Sequence, residues 1–462
     1  MSELLTRRNF LKYSALAAGA VLAACTPSAP TGGTEGGGEA TAPTAASGGG
    51  ASAPAAGAKE KILYWDNSSP EGLDGQVKEA MIQNYRDNNP DKELESVYKP
   101  TTAGTQMSEA LLTSIAAGNP PDAAYFDRFI VAAWAAEGSL TDLTDLCASN
   151  GITSDQYFPF AWTEVTGWQD KVWALPFDTD TRAVYFDKAV ISEGGFDPEN
   201  MPTTLEELDA MAEKLFKTED GRMTRAGFIP WYGQGGCPYL WEWTWGHKFW
   251  DKSDPSNIVV NSDICVASME WRRQYAEKYD IQAYESFSSA FGTEALSPFY
   301  VGQLGMWVDG DWRIAGFKKY APDVDYGIIT TPFPAGGRTA TMAGGWSVVV
   351  PAGAKNVAGG FDFISTFGGP GEFGMNYYCR ETAHIPTLKT LAEDPVYTED
   401  PKHKVFMDLL PIADTRPPVP IGQFLWTALG EARDLVIHGT KTAKEALDDV
   451  QANAAKEMER FM

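Results

Sequence analysis

Apolar positions near the start of the folded chain alternate between two periods. "KILYWD" (Lys61 to Asp66) is a short apolar run of strand length. In "GQVKEAMIQNYRDNNPD", Val77, Met81 and Tyr85 fall one helical turn apart. Asn89-Pro90 ends that helix, because the residue before a proline is pushed out of the helical region. "ELESVYKP" predicts a second strand, and "SEALLTSIAAGNPPDAAYFD" a helix closed at Gly118 and a strand from Ala123 to Phe126. This βαβα order predicts a mostly parallel sheet flanked by helices.

A second set of units begins near Val172. "VWALPF" and "RAVYFD" are apolar extended runs. In "PTTLEELDAMAEKLFKTEDG", Thr204 and Glu207 form a capping box, Leu205, Leu208, Met211 and Leu215 the buried stripe, and Gly221 the expected stop. "GQLGMWVDGDWRIAGF" and "GGWSVVVPAGAKN" each read as a strand feeding a turn. The last helix starts at the Thr442/Glu445 box, with Leu447, Val450, Ala454 and Phe461 inward. No fixed-period repeat is present.

The N-terminus changes the picture. Arg7, Arg8 and Lys12 precede an apolar run, Tyr13 to Ala24, too short to span a bilayer permanently. "RRNFLK" resembles the twin-arginine export signal, and "LAAC" at Leu22 to Cys25 resembles the bacterial lipoprotein box, in which the cysteine is acylated. Residues 1–24 are therefore expected to be a signal peptide, with Cys25 as the lipidation site. Residues 25–58 are Gly, Ala, Pro, Ser and Thr with few large apolar side chains, the composition of a flexible tether. The formal charge of −25 becomes −27 without the signal peptide, which argues against nucleic acid or anionic lipid as partners. Cys147, Cys237, Cys265 and Cys379 lack metal-ligand spacing, and the sequence leaves open whether they pair or stay as thiols. No metal or cofactor is expected.

Five pieces in order carry a resemblance: "GNPPDAAYFD", "DKVWALPFDTDTRAVYFDK", "GGFDPENMPTTLEELDAMAEKL", "VGQLGMWVDGDW" and "GGWSVVVPAGAKN". Together they resemble the extracytoplasmic solute-binding proteins of sugar ABC transporters, the group that includes maltodextrin-binding proteins. The resemblance implies an α/β, two-lobe periplasmic-binding-protein fold of the type II kind. It implies a ligand cleft between lobes, strands crossing at least twice, and hinge closure. Crossovers are expected near Phe177 to Asp180 and Gly345 to Val348. The N-terminal lobe would comprise 59–178 and 348–394, and the C-terminal lobe 179–347 and 395–462. The implied partners are a small sugar and the permease subunits of an importer. A lipid on Cys25 would hold a monomer at the outer face of the membrane.

A sugar ring needs aromatic faces for its C–H surfaces and planar polar groups for its hydroxyls. Trp65, Asp66 and Asn67 follow the first strand, and Asp127 and Arg128 follow the third, where α/β sheets bind ligands. In the family an acidic residue followed by Arg contacts sugar at the place of Asp127 and Arg128; a helix cap is the alternative for Asp127. Asp178 and Asp180 lie two apart on the first crossover, and Arg182 could pair with either. The family commonly has a stacking Trp at the place of Trp312. Asp311 stands beside it, and Gly345 and Trp346 mark the second crossover. Trp426 matches another platform, and Arg380 is a weaker candidate. "CPYLWEWTWGHKFWD" crowds Trp241, Trp243, Trp245 and Trp250 together. The resemblance starts a helix there, so Tyr239 and Trp243 share one face and Trp241 and Trp245 another. Tyr239 and Trp243, with Trp231 from the preceding loop, are the expected ligand face.

Other classes fit less well. Asp178 and Asp180 are raw material for an exported glycoside hydrolase, yet neighbours on one strand rarely flank a bond from two sides. There is no GxSxG, HExxH or P-loop, and His247, His384, His403 and His438 sit in no catalytic motif. Peptide and phosphate ligands also fit less well. A cationic solute such as a polyamine is the main alternative ligand, since Asp and Trp suit cations.

Overall fold

A computed structural model describes residues 59–462 apart from 101–105, 252, 255 and 292–295. The expected signal peptide, Cys25 and the tether lie outside the described residues. In chain order the strands are β1 (Glu60–Asp66), β2 (Lys92–Tyr98), β3 (Ala123–Asp127), β4 (Leu175–Pro176), β5 (Asp178–Thr179), β6 (Arg182–Asp187) and β7 (Lys217–Glu219). They continue with β8 (Arg222–Arg225), β9 (Met306–Gly310), β10 (Tyr326–Ile329), β11 (Met342–Ala343), β12 (Trp346–Val349), β13 (Ile385–Pro386) and β14 (Asp414–Thr415).

The larger sheet has the order β2-β1-β3-β12-β4. β1 runs parallel to β2 over its whole length and to β3. β12 is antiparallel to both β3 and β4. The second sheet, β10-β6-β9, is entirely antiparallel. The expected mostly parallel arrangement therefore holds only for β2-β1-β3, where helices return the chain to the same edge. β12 enters from the opposite direction because it arrives from the other lobe.

Two separate sets of apolar residues make the lobes. On one face of the larger sheet, Ile62, Tyr64 and Tyr125 pack with Val77, Met81, Phe363 and Phe367. The other face packs Phe126, Phe129, Trp134 and Val349. A distinct core gathers Val184, Tyr185, Leu208, Trp241, Trp307 and Val308 around the second sheet. The chain passes between the cores from Phe177 to Ala183, from Met342 to Val348, and from Tyr397 to Phe406. β5 also pairs with β13, which ties a further segment to the first passage.

Local signals place most helices. Leu73–Asn88 ends at Asn89, and Gly118 turns the chain with φ +69°. Both capping boxes form, at Thr204/Glu207 and Thr442/Glu445. The helix Leu205–Leu215 stops earlier than Gly221, which instead turns the β7–β8 hairpin together with Asp220. The polar run after Leu215 has no apolar stripe to keep it on the core. Cys147, Cys237, Cys265 and Cys379 are unpaired thiols. Among the described residues no helix is long and apolar enough to cross a membrane, and no group of His, Cys, Asp and Glu could hold a metal ion.

Candidate ligand-binding site

The two passages that include β5 and β12 are bolted together beneath the space between the lobes. The Arg128 guanidinium donates to Glu164, to the Asp178 carbonyl and to the Gly344 carbonyl. The Asp178 carboxylate accepts from the Tyr125 hydroxyl at 3.1 Å and from the Trp346 backbone N–H at 2.6 Å. Gly345 has φ +120°, and a Cβ there would run into the Asp178 backbone. Only glycine tolerates this conformation in so close an approach. Arg128 and Asp178, both expected at the ligand, are wholly buried and form this frame.

Above the frame lies a cavity of about 360 Å³. Asp127, Asp180, Trp312, Gly345, Trp346 and Trp426 line it, so the fold brings together six candidates from five distant stretches. Each indole has an aromatic backing. Trp312 lies against His384 with centroids 5.7 Å apart and planes 19° from parallel, and His384 in turn lies on Tyr378. Trp346 stacks on Tyr125 at 4.8 Å and 14°. Trp426 packs on Phe129 and Tyr239. Backed rings keep their orientation without a ligand, which lowers the ordering cost of binding.

The sequence candidates suggested an acidic site, and the cavity corrects that. Asp74, Asp127 and Asp180 line it together with Arg182, Arg313 and Arg416. Asp180 pairs with Arg182, whose guanidinium also donates to Gln234 at 3.1 and 3.2 Å. Arg416, almost fully buried, lies 3.3 Å from Asp127 and 3.7 Å from Glu164, with its guanidinium over the Phe129 ring. Arg313 pairs with Asp309 at 2.9 Å. Burial pushes the Asp127 carboxyl above its ordinary range, opposed by Arg416. Asp127 also caps Phe129 N–H, so the helix-cap role is present beside its place in the cavity wall.

The remaining candidates lie outside this cavity. Trp65 packs in the core under Lys99, where the pleat turns it away. Asp66 accepts from Tyr64, Ser68 and Lys78 behind the sheet, and Asn67 beside it is not part of the lining. Asp311 is fully buried below Trp312; its carboxyl is held well above the usual range by burial, against the pull of Arg182. Arg380 is an outward residue paired with Asp394. Tyr239 and Trp243 pack on each other and on Phe249 in the core, while Trp231 packs edge-on against Tyr284. Trp241, on the other helical face, is buried too and donates to the Pro230 and Gly235 carbonyls. The short helix Leu240–Thr244 is enclosed on both faces, so splitting the cluster by face does not expose half of it. Tyr239 reaches the cavity only by backing Trp426.

Sequence reasoning passed over Asp74, Gln234, Cys237, His384 and Arg416 as cavity residues. His384 sits in no sequence motif, and Arg416 lies in a Pro-rich loop with no periodicity. Gln234 and Cys237 stand in "GQGGC", in the loop named only as a neighbour of the Trp cluster.

Comparison with known proteins places the chain in a family. Residues 80–405 match the model of the bacterial extracellular solute-binding proteins. A maltotriose-binding protein of Pyrococcus abyssi is 24% identical over 409 residues, covering 87% of this chain and 82% of the relative. The sn-glycerol-3-phosphate-binding periplasmic protein of Escherichia coli K12 is also 24% identical, covering 88% and 94%. Among solved structures, CpMnBP1 with mannotriose bound has a TM-score of 0.77 at 24% identity, covering 86% of this chain and all of that one. Maltose-bound MalE3 of Thermotoga maritima has a TM-score of 0.69 at 20% identity, covering 87% and 100%. The chain belongs to the bacterial extracellular solute-binding family, and its fold is the two-lobe binding-protein fold.

Proposed function

We propose that this family member captures an uncharged sugar or short oligosaccharide between its lobes and delivers it to an ABC importer. The observation that carries the proposal is the set of three backed indoles, Trp312, Trp346 and Trp426, around a charge-balanced polar wall. Indole faces suit the C–H surfaces of pyranose rings. Paired carboxylates and guanidinium groups still offer lone pairs and N–H groups to hydroxyls. A charged ligand drawn to Asp180 or Asp127, or to Arg182 or Arg416, would have to break the Asp180–Arg182 or Asp127–Arg416 pairing to gain that group as a partner. The volume falls in the range of about 300–1,000 Å³ common for small-molecule sites.

Asp127, Asp180, Trp312, Trp346 and Trp426, joined by Arg416, Gln234 and His384, are the residues assigned to the ligand. Closure would turn residues 59–178 and 348–394 against 179–347 and 395–462 about the crossovers. "RRNFLK" and "LAAC" support export by the twin-arginine route and acylation of Cys25, which with the 25–58 tether keeps a monomer close to its permease. The matching relatives are named as binding proteins. Asp178 and Asp180 do not share one cavity, so these two are not a carboxylate pair flanking a common ligand space.

Calorimetric titration tests the ligand class with maltotriose, mannotriose, spermidine and sn-glycerol 3-phosphate. Saccharide binding with no cleavage of the sugar is expected. Heat from spermidine or the phosphate ester alone would overturn the proposal.

A further inference from the structure

Lys78 is a lysine on the helix Leu73–Asn88 with 1% of its surface exposed, and the binding site does not account for it. Its ammonium sits 3.0 Å from the centroid of the Tyr125 ring. Asp66 lies at 3.3 Å and the Ser68 hydroxyl at 2.8 Å, so the charge is paired where it is buried. On the far side of Tyr125 lies Trp346, nearly parallel at 4.8 Å, and Trp346 lines the cavity. The order along this column is ammonium, phenol ring, indole ring, ligand space. Asp178 closes it laterally by accepting from both the Tyr125 hydroxyl and the Trp346 N–H. Phe177 meets the Tyr125 ring edge-on.

We infer that Lys78 and Tyr125 are positioning residues for the Trp346 platform: a buried cation–π–π column that sets the indole's angle at the second crossover from within the N-terminal lobe. The inference rests on the proposed ligand site, since Trp346 is the part of the column that would meet sugar. Burying an ammonium is costly, and a lysine with only a structural role could keep its head in water by snorkelling. Here its face-on placement polarises Tyr125 and holds that ring flat, and the flat ring holds the indole by offset stacking. Because β3 supplies Tyr125 and β12 supplies Trp346, the column also fixes the second crossover to the sheet.

The test has two arms on the purified protein. In the first, without ligand, indole N–H resonances are recorded for the wild type, Lys78→Met and Trp346→Phe, the last assigning the Trp346 signal. Lys78→Met should shift the Trp346 resonance and leave those of Trp312 and Trp426 in place. An unmoved Trp346 signal overturns the column whatever the ligand is. In the second arm, maltotriose and mannotriose are titrated into the same proteins and the double variant. Lys78→Met should weaken saccharide binding roughly fivefold in the wild type and by less than about twofold in the Trp346→Phe background. Equal losses in both backgrounds would overturn the positioning role. Lys78→Met leaves Asp66 without its cation, so Lys78→Met with Asp66→Asn provides a variant that buries no lone charge and should give the same pattern. Failure of every saccharide to bind the wild type refutes the sugar assignment, while the resonance arm still decides the column.

Discussion

Gly310 closes strand β9 just before Trp312, and replacing it with alanine tests whether that indole's position matters. The new Cβ would fall within 2.5 Å of three atoms of the Trp312 six-membered ring. Ordinary contact begins near 3.4 Å and the nearest ring atom would lie at 2.0 Å, so the ring must retreat by about 1.4 Å or the strand must shift. The strand resists, because Gly310 is paired with Arg182 across β6 and its carbonyl accepts from the Tyr185 hydroxyl at 2.8 Å. The backbone itself permits alanine, since Gly310 is not among the positive-φ glycines. The ring therefore moves, away from the Arg182 guanidinium 5.0 Å from its centroid and out of its stack on His384. Losing a stacking contact costs about 0.5–1.5 kcal/mol, and misplacing a platform against a rigid ligand adds to that. The expected result is saccharide affinity weakened about tenfold or more, with the melting temperature lowered by only a few degrees. Titration calorimetry and thermal melting of Gly310→Ala beside Trp312→Ala would measure it. The two variants should match in binding. Unchanged affinity in Gly310→Ala, or a loss in it unmatched by Trp312→Ala, would refute the assignment of Trp312 as a platform.

Three further outcomes follow from the frame. Burial raises the Asp311 carboxyl's pKa in the folded state, so below about pH 4 the group is protonated in both states, and as pH rises the unfolded chain loses its proton first. Folding stability contributed there falls with rising pH; Asp311→Asn should thus melt higher than wild type near pH 7 and converge with it near pH 4, as measured by thermal melts across that range. Glu164→Gln leaves the buried Arg128 and Arg416 short of a carboxylate and should cost on the order of 3–5 kcal/mol in urea unfolding; a loss under about 1 kcal/mol would mean that the guanidinium groups find other partners. Gly345→Ala combines the φ +120° strain with a clash at Asp178 and should destabilise by more than about 1 kcal/mol and weaken ligand binding together, where stability lost without affinity would separate the crossover from the site.

The sequence by itself determined what is local and periodic. The Val77/Met81/Tyr85 stripe, the capping boxes at Thr204 and Thr442, and the turn at Gly118 each act within a few residues, so their physics is written in short stretches of chain. The order of motifs was enough to anticipate the two-lobe fold. Tertiary structure alone decided which polar and aromatic groups look into the cavity. Asp178 and Asp180 lie two apart on one crossover, yet one bonds Tyr125 and Trp346 inside the frame and the other lines the cavity in a direct pair with Arg182. Arg416 comes to Asp127 from nearly three hundred residues away, and no spacing rule encodes that meeting. The Trp cluster shows the same limit: helical spacing gave it two faces, but whether a face meets water, ligand or core depends on what packs there, and here Trp271, Phe249 and Trp426 enclose it.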